Sequence, residues 1–423
     1  MCIRDSNMIM KQLHHLWALV ALLSVLLVGC KPEENRKPAI ESECAFTIEV
    51  PVGLKDATYS DLQVTIKGSQ DGKEIALKPE SATFHQKLLE GKYQISLTAG
   101  LAYQSDRLGK VRTTVSMEES IVVKGEKSTF TLIPQYTENV SSGFVIEELF
   151  LSPTYNPETK KSYKYGEQYI KITNNSDVTL YADGLGIAQS ALLCNMKQDY
   201  VDKDAIKDIL PVNFLSIIPG NGTTYPVKPG ASIIIANDAM DHSKVFPGAV
   251  DLSHADFEIY DRSSDPRLQD TDNPEVPNLV SYYKFSKTVF SFHQRGCTTI
   301  ALVKVPVDQA TYEKDYAWSA KYIFRFKDFT KEMEAKAYKV PLDWIVDAVF
   351  LGIKDKIDWR YIPDTIDAGF TGWCDSFQDK TGLGTAVIRK VEREANGRKY
   401  LKDTNNSTED FNARVQPSLK AGK

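Results

Sequence analysis

The chain has 423 residues, of which 42% are apolar and 25% charged, with a formal net charge of −5. That length suits two or three domains at ~100–200 residues each. The mild acidity, without a basic patch, argues against a nucleic-acid partner, and 20 Tyr with 18 Phe fit a β-rich secreted protein.

Near the start, Lys11, His14 and His15 precede an apolar run from Trp17 to Val28, interrupted by Ser24. The run is too short for a bilayer span, which needs roughly 20 residues. A positive start, a short apolar core and a small residue before a cut are the marks of a secretory signal peptide. Leu27-Val28-Gly29-Cys30 resembles the bacterial lipobox. The resemblance implies cleavage before Cys30 and lipidation of its sulfur. Met8 and Met10 offer alternative translation starts. The following Lys31-Pro32-Glu33-Glu34-Asn35-Arg36-Lys37-Pro38 has no apolar period and reads as a solvated tether. Its lysine and paired acids resemble the export signal that carries lipoproteins of Bacteroidota-type bacteria to the outer face of the outer membrane. With 1–29 removed and 30–40 as tether, the anchor would be permanent once two or three acyl chains insert.

From 41 to 137 the sequence predicts short alternating strands: Ala45–Val50, Leu62–Ile66, Thr83–Leu89, Tyr93–Leu97, Val111–Met117, Ile121–Val123 and Ser128–Ile133, with turns at Asp71-Gly72, Glu90-Gly91-Lys92 and Lys124-Gly125-Glu126. Such spacing argues a small antiparallel β-sandwich. Phe84, Leu89, Gly91, Tyr93 and Ile95 resemble a hairpin of carboxypeptidase-regulatory-like and prealbumin-like modules, where the glycine makes the turn and the tyrosine packs on the core. His85 lies on a strand and reads as a surface residue.

A larger β-domain is expected over 143–415. Phe144–Phe150, Glu167–Asn174 and Val178–Leu185 give its first strands. Val227–Ala236, Arg295–Val303, Trp344–Val349, and Ala386–Lys390 with Asp403–Phe411 follow in order. Together they resemble the lamin-tail domain, an immunoglobulin-type sandwich. Lys171 stands where that family has an acid, and Leu185 where it has Trp. The Asp403-Thr404-Asn405-Asn406-Ser407 run reads as turn caps, with Phe411 pinning the terminus. The excess over a bare sandwich of ~100 residues falls in Leu192–Tyr225, Asn237–Asn278 and Asp308–Pro341, read as long insertions without regular structure and hence as sites of function or disorder. The whole arrangement is similar to a family of uncharacterised Bacteroidota lipoproteins, often encoded beside TonB-dependent transporters.

Candidate sites are few. Tyr155, Tyr163, Tyr165 and Tyr169, with Lys160, Lys161 and Lys164, form an aromatic-basic loop able to stack on sugar rings or a flat macrocycle. Packing of the same tyrosines onto the fold is the competing reading. Asp256, Glu258, Asp261, Asp265, Asp270, Asp272 and Glu275 give an acidic loop with calcium-type oxygens but no EF-hand spacing. His242 and His254 are twelve apart, against four in helical metal pairs. Trp344, Trp359 and Trp373 are expected in core or interface. Asp364-Thr365-Ile366 matches a short bacterial O-glycosylation pattern. Cys44, Cys194, Cys297 and Cys374 lack the close spacing of zinc ligands and allow three disulfide pairings.

There is no G-x-S-x-G, H-E-x-x-H or G-x-x-x-x-G-K motif, and Gly382-Leu383-Gly384 lacks a third glycine. No cofactor or metal is expected. The sequence therefore points to a lipid-anchored outer-membrane binding protein, accessory to a TonB-dependent transporter and capturing a glycan or iron compound. A structural or adhesive lipoprotein is the alternative. A hydrolase with distant carboxylates is the third.

Overall fold

The computed structural model describes residues 40–105, 109–136, 143–163, 166–395 and 397–420. The apolar leader, Cys30, the tether to residue 39, Lys164 and Tyr165 lie outside the described residues. Among those described, no helix is long and apolar enough to cross a membrane.

The protein is mainly β, as expected. In the N-terminal part, Glu41–Ile48 sits between Thr83–Leu89 and Lys127–Leu132, the latter parallel to it. Phe46 is fully buried and stacks between its cross-strand partners Phe84 and Phe130, with centroids 4.9 and 5.2 Å away. This aromatic row packs into the same core as Ile66, Ile95, Leu97 and Leu101 of the neighbouring sheet.

That sheet is built on two strands of 15 residues, Gly91–Ser105 and Gly109–Val123, where shorter pieces were expected. Alternation continues through Ile95, Leu97, Ala99, Leu101 and Tyr103, all buried. Ala99-Gly100 hides it in the sequence. Gly100 is small because the bulged strand Lys55–Gly68 presses on it: a Cβ there would lie 2.5 Å from Ser60 Oγ. Glu90-Gly91 is not a hairpin turn either. The strands before and after it belong to different sheets, so it is a corner, and Tyr93 locks it by donating its hydroxyl to Leu89 O at 2.8 Å.

The C-terminal part is a sandwich of a six-stranded and a seven-stranded sheet sharing one core. The six-stranded sheet centres on Phe144–Phe150, between Tyr169–Asn174 and Ala386–Arg389. Phe144–Phe150 is buried at six of its seven positions. A strand covered on both faces reads as a near-continuous apolar run. Its second face is covered by Ala239, Val250, Leu252 and Val276. The stretch Asn237–Asn278 is thus largely a lid on the sheet rather than a free loop.

The other two expected insertions are corrected outright. Ile209–Ile217 is a central strand of the seven-stranded sheet, and Asp308–Pro341 forms a helical turn, Gln309–Asp315, and a long hairpin of Ala317–Phe326 with Phe329–Pro341. Pro211 disguises the first, since proline donates nothing to a ladder; here its carbonyl accepts from Ala191 N at 2.8 Å. The sheet of the N-terminal part also gains Thr179–Tyr181, paired to Gly109–Val123, with Pro226–Val227 at the edge beyond it. Backbone pairing therefore runs between the two β-regions.

Candidate functional site

Among the described residues, a cleft lies beside Thr179–Tyr181, the strand that joins the larger β-region to the sheet of the N-terminal part. It holds about 410 Å³, toward the lower end of the ~300–1,000 Å³ typical of small-molecule sites, which favour such junctions. Its floor is apolar: Phe144, Leu180 and Leu185 are all buried. Trp344, in the turn Leu342–Trp344, stands half-buried at one side with Tyr316 behind its ring at 4.7 Å. Asp343, Asp403 and Lys304 supply the charge. Lys304 reaches over the start of Gly109–Val123, so close that a Cβ on Gly109 would meet its Nζ at 2.6 Å. An apolar floor, an aromatic wall and a few charged groups can hold a polar molecule with one greasy face.

One wall of the cleft is fixed by a buried ion network. Arg389 follows the last residue of its strand paired to Phe144–Phe150. Its Nε donates to Ile146 O at 2.8 Å and its Nη2 to Asp347 Oδ2 at 2.5 Å, while Ile146 N donates to the same oxygen at 2.7 Å. Asp347 belongs to the opposite sheet, so two side chains and one peptide staple the sandwich together. Asp403 and Asp410 complete the cage at 3.1 and 3.7 Å from Arg389 Nη1, and Phe411 lies under the guanidinium at 4.6 Å. Burial outweighs the pull of the guanidinium and holds the Asp347 carboxyl above the usual carboxylate range. Asp403 thus links cleft and staple. The turn reading of this run holds: Asn406 caps Ser407–Asp410, and Asp410 accepts from Thr404 N at 2.8 Å.

Of the expected tyrosine platform, Tyr163 and Tyr169 are buried and Tyr155 is half-buried, while Tyr165 lies outside the described residues. Tyr169 is fully buried, donates to Glu148 Oε1 at 2.6 Å and packs on Phe150. Burial raises its phenol. Tyr163 is also buried, bonded to His242 Nδ1 at 2.9 Å and stacked on Phe246. Tyr155 is half-buried, with Lys380 Nζ 5.9 Å from its ring centre. Tyr163 and Tyr169 pack down with their hydroxyls partnered inside. Tyr163 does contribute an edge to a second, more open cleft of about 420 Å³ with Ser162, Gln294 and Arg295.

The acidic loop is likewise internally satisfied. Asp261 is buried against Lys284 Nζ at 2.7 Å and accepts from Phe290 N. Asp265 clasps Arg267 through two bonds of 2.9 and 2.7 Å. Asp270 accepts from Asp261 N, and Asp272 from Asn278. Among the described residues no three His, Cys, Asp or Glu converge in a way that could hold a metal ion. His242 is buried and His254 exposed. Cys194 and Cys297 are neighbours, with Cys194 N donating to Cys297 O at 2.9 Å; all four described cysteines are buried thiols.

Comparison with known proteins fits this picture. Residues 228–418 match the model of a family described as "Protein of unknown function (DUF4876)". A crystal structure of a DUF4876 family protein from Bacteroides thetaiotaomicron shares the fold, with TM-score 0.52 and 19% identity over 89% of this chain and 96% of that one. A structure of a proposed adhesin from Bacteroides ovatus aligns over 73% of this chain and 87% of that one, but its TM-score of 0.15 and 9% identity bear on neither fold nor function. No curated protein matches the sequence.

Proposed function

We propose that this is a non-catalytic binding protein, anchored through Cys30 to the outer membrane of a Bacteroidota-type cell, displayed on its surface and working beside a TonB-dependent transporter. The leader and tether support the location. The likeness to a Bacteroides fold supports the type of cell. The carrying observation is the junction cleft of about 410 Å³ with its half-buried Trp344. Of the two nutrient classes read from the sequence, the cleft suits a small glycan better. A sugar ring stacks its C–H face on an indole, and its hydroxyls bond to carboxylates such as Asp343 and Asp403.

The test is a glycan-binding screen followed by calorimetry on the best binder. Saturable binding without turnover, weakened in Trp344→Ala, supports the reading. Turnover of the bound glycan would favour the hydrolase. Absence of saturable binding, with co-purifying outer-membrane proteins other than a transporter, would favour the structural or adhesive alternative.

A further inference from the structure

The hairpin Ala317–Phe326 and Phe329–Pro341 extends well beyond the sheet that carries it. Ile209–Ile217 pairs with it only at Tyr338–Pro341. Farther out, its outer edge is braced by Asp199–Val201: Val201 N donates to Lys321 O and Ile323 N to Asp199 O, both at 2.9 Å. Among the described residues, no backbone pairing from the body reaches it beyond Ile323. The free end, Phe324–Lys331, holds about three residues per strand, or ~10 Å at ~3.3 Å per residue.

Residues directly opposite on paired strands share a face, as do residues two apart. The register pairs Tyr322 with Met333, Phe324 with Lys331 and Phe326 with Phe329. One face thus carries Phe324, Phe326, Phe329 and Met333, exposed by 41, 62, 55 and 38%. At its base the stripe is sheltered, Trp318 and Tyr322 packing edge-on against Tyr200 at 6.0 and 6.4 Å. It then runs out of the core into solvent. Arg325 pairs with Asp199 at 3.4 Å, and the end also carries Lys327 and Lys331 against the single acid Asp328, in a chain of net charge −5. Lys327, at the turn with φ +50°, sits 5.6 Å from the Phe326 ring.

Aromatic rings beside cations, standing proud by ~10 Å, match the ~5–10 Å to which interfacial segments bury apolar groups while cations meet lipid phosphates. We propose that the tip Phe324–Lys331 docks on an anionic lipid surface, its rings entering the headgroup boundary and its cations facing lipid phosphates. The contact is separate from both the cleft and the acyl anchor. It would fix the orientation of the protein at the membrane.

The test uses the full chain carrying Cys30→Ser, which removes the acyl chains, and vesicles of phosphatidylglycerol and phosphatidylcholine in equal parts. Parent and tip variants share the same leader, so differences between them belong to the tip. Co-sedimentation should show binding that falls with salt and is ~10-fold or more weaker in Phe324→Ser/Phe326→Ser/Phe329→Ser. Lys327→Glu/Lys331→Glu should weaken binding to these vesicles and not to pure phosphatidylcholine. A Phe326→Trp variant should gain blue-shifted emission that brominated lipid quenches. Equal binding by parent and triple variant, equal binding to both vesicle types, or unshifted Trp emission would overturn the proposal. So would tip-dependent self-association in sedimentation velocity without vesicle binding, which would make a second copy the occupant. Because these side chains are exposed, the variants should keep the parent's melting temperature.

Discussion

Asp347→Ala should be among the most damaging single changes in the large sandwich. The substitution removes the acceptor for two bonds, 2.7 Å from Ile146 N and 2.5 Å from Arg389 Nη2. Breaking a buried pair by removing one partner costs about 3–5 kcal/mol. Asp403 and Asp410 still face the guanidinium, which places the loss toward the lower end. The orphaned Ile146 N–H adds ~1–3 kcal/mol. The two effects share one oxygen, so the total is set at about 4 kcal/mol. Urea unfolding followed by tryptophan fluorescence reads it well, since Trp318, Trp344, Trp359 and Trp373 all lie in this part of the chain. At ~2–3 kcal/mol per molar urea, the midpoint should fall by ~1.3–2 M. Arg389→Met should cost as much, because it strands the buried acids. Asp347→Leu/Arg389→Met should cost less than the sum of the single changes by ~2 kcal/mol. A single-variant loss under ~1 kcal/mol, or simple additivity, would refute the staple.

Gly382→Ala should abolish soluble expression or cost more than ~4 kcal/mol, since the added Cβ would fall 1.4 Å from Trp373 O, a backbone atom that cannot move aside; near-parental melting would contradict the contact. A pH effect is expected at Asp238. Its Oδ1 is buried without a hydrogen-bond partner among the described residues, and burial, with Asp270 and Glu258 nearby, pushes its carboxyl up to about 7. The folded state then holds a proton that the unfolded chain releases near its ordinary pKa of ~3.9. The associated stability is complete below that value and is lost as pH rises through about 7. Burial lowers His242 and His293, so their contribution runs the other way, present above ~6.5 and lost on acidification. The melting-temperature gain of Asp238→Asn over the parent should therefore grow from pH 5 to 8; a constant difference would be the contrary result.

Mainly β architecture was legible because alternation is local: Glu41–Ile48 and Thr83–Leu89 carry their burial pattern on their face. Strand length was not, because Ala99-Gly100 looks like a break until Ser60 is seen pressing on Gly100. Gly382-Leu383-Gly384 looked like a failed phosphate loop and proves to be packing against Trp373. The tyrosine loop left binding and packing both open, since nothing local says that Tyr163 meets His242 or that Tyr169 meets Glu148. Asp347, Arg389 and the Asp403–Phe411 run were visible as pieces; that they form one cage depends on pairing between sheets. The cleft was invisible for the same reason, its walls coming from Phe144, Leu180, Lys304, Trp344 and Asp403. The aromatic alternation of Phe324 and Phe326 was readable, but only their exposure among the described residues gives it meaning.

The most direct test of the binding account is calorimetric titration of the protein with the oligosaccharides that a glycan screen selects. The account predicts saturable binding that falls ~10-fold or more in Trp344→Ala, a loss of ~1.4 kcal/mol or more, and is unchanged in Tyr155→Ala. Binding that survives Trp344→Ala intact, or no saturable binding to any glycan, would contradict it.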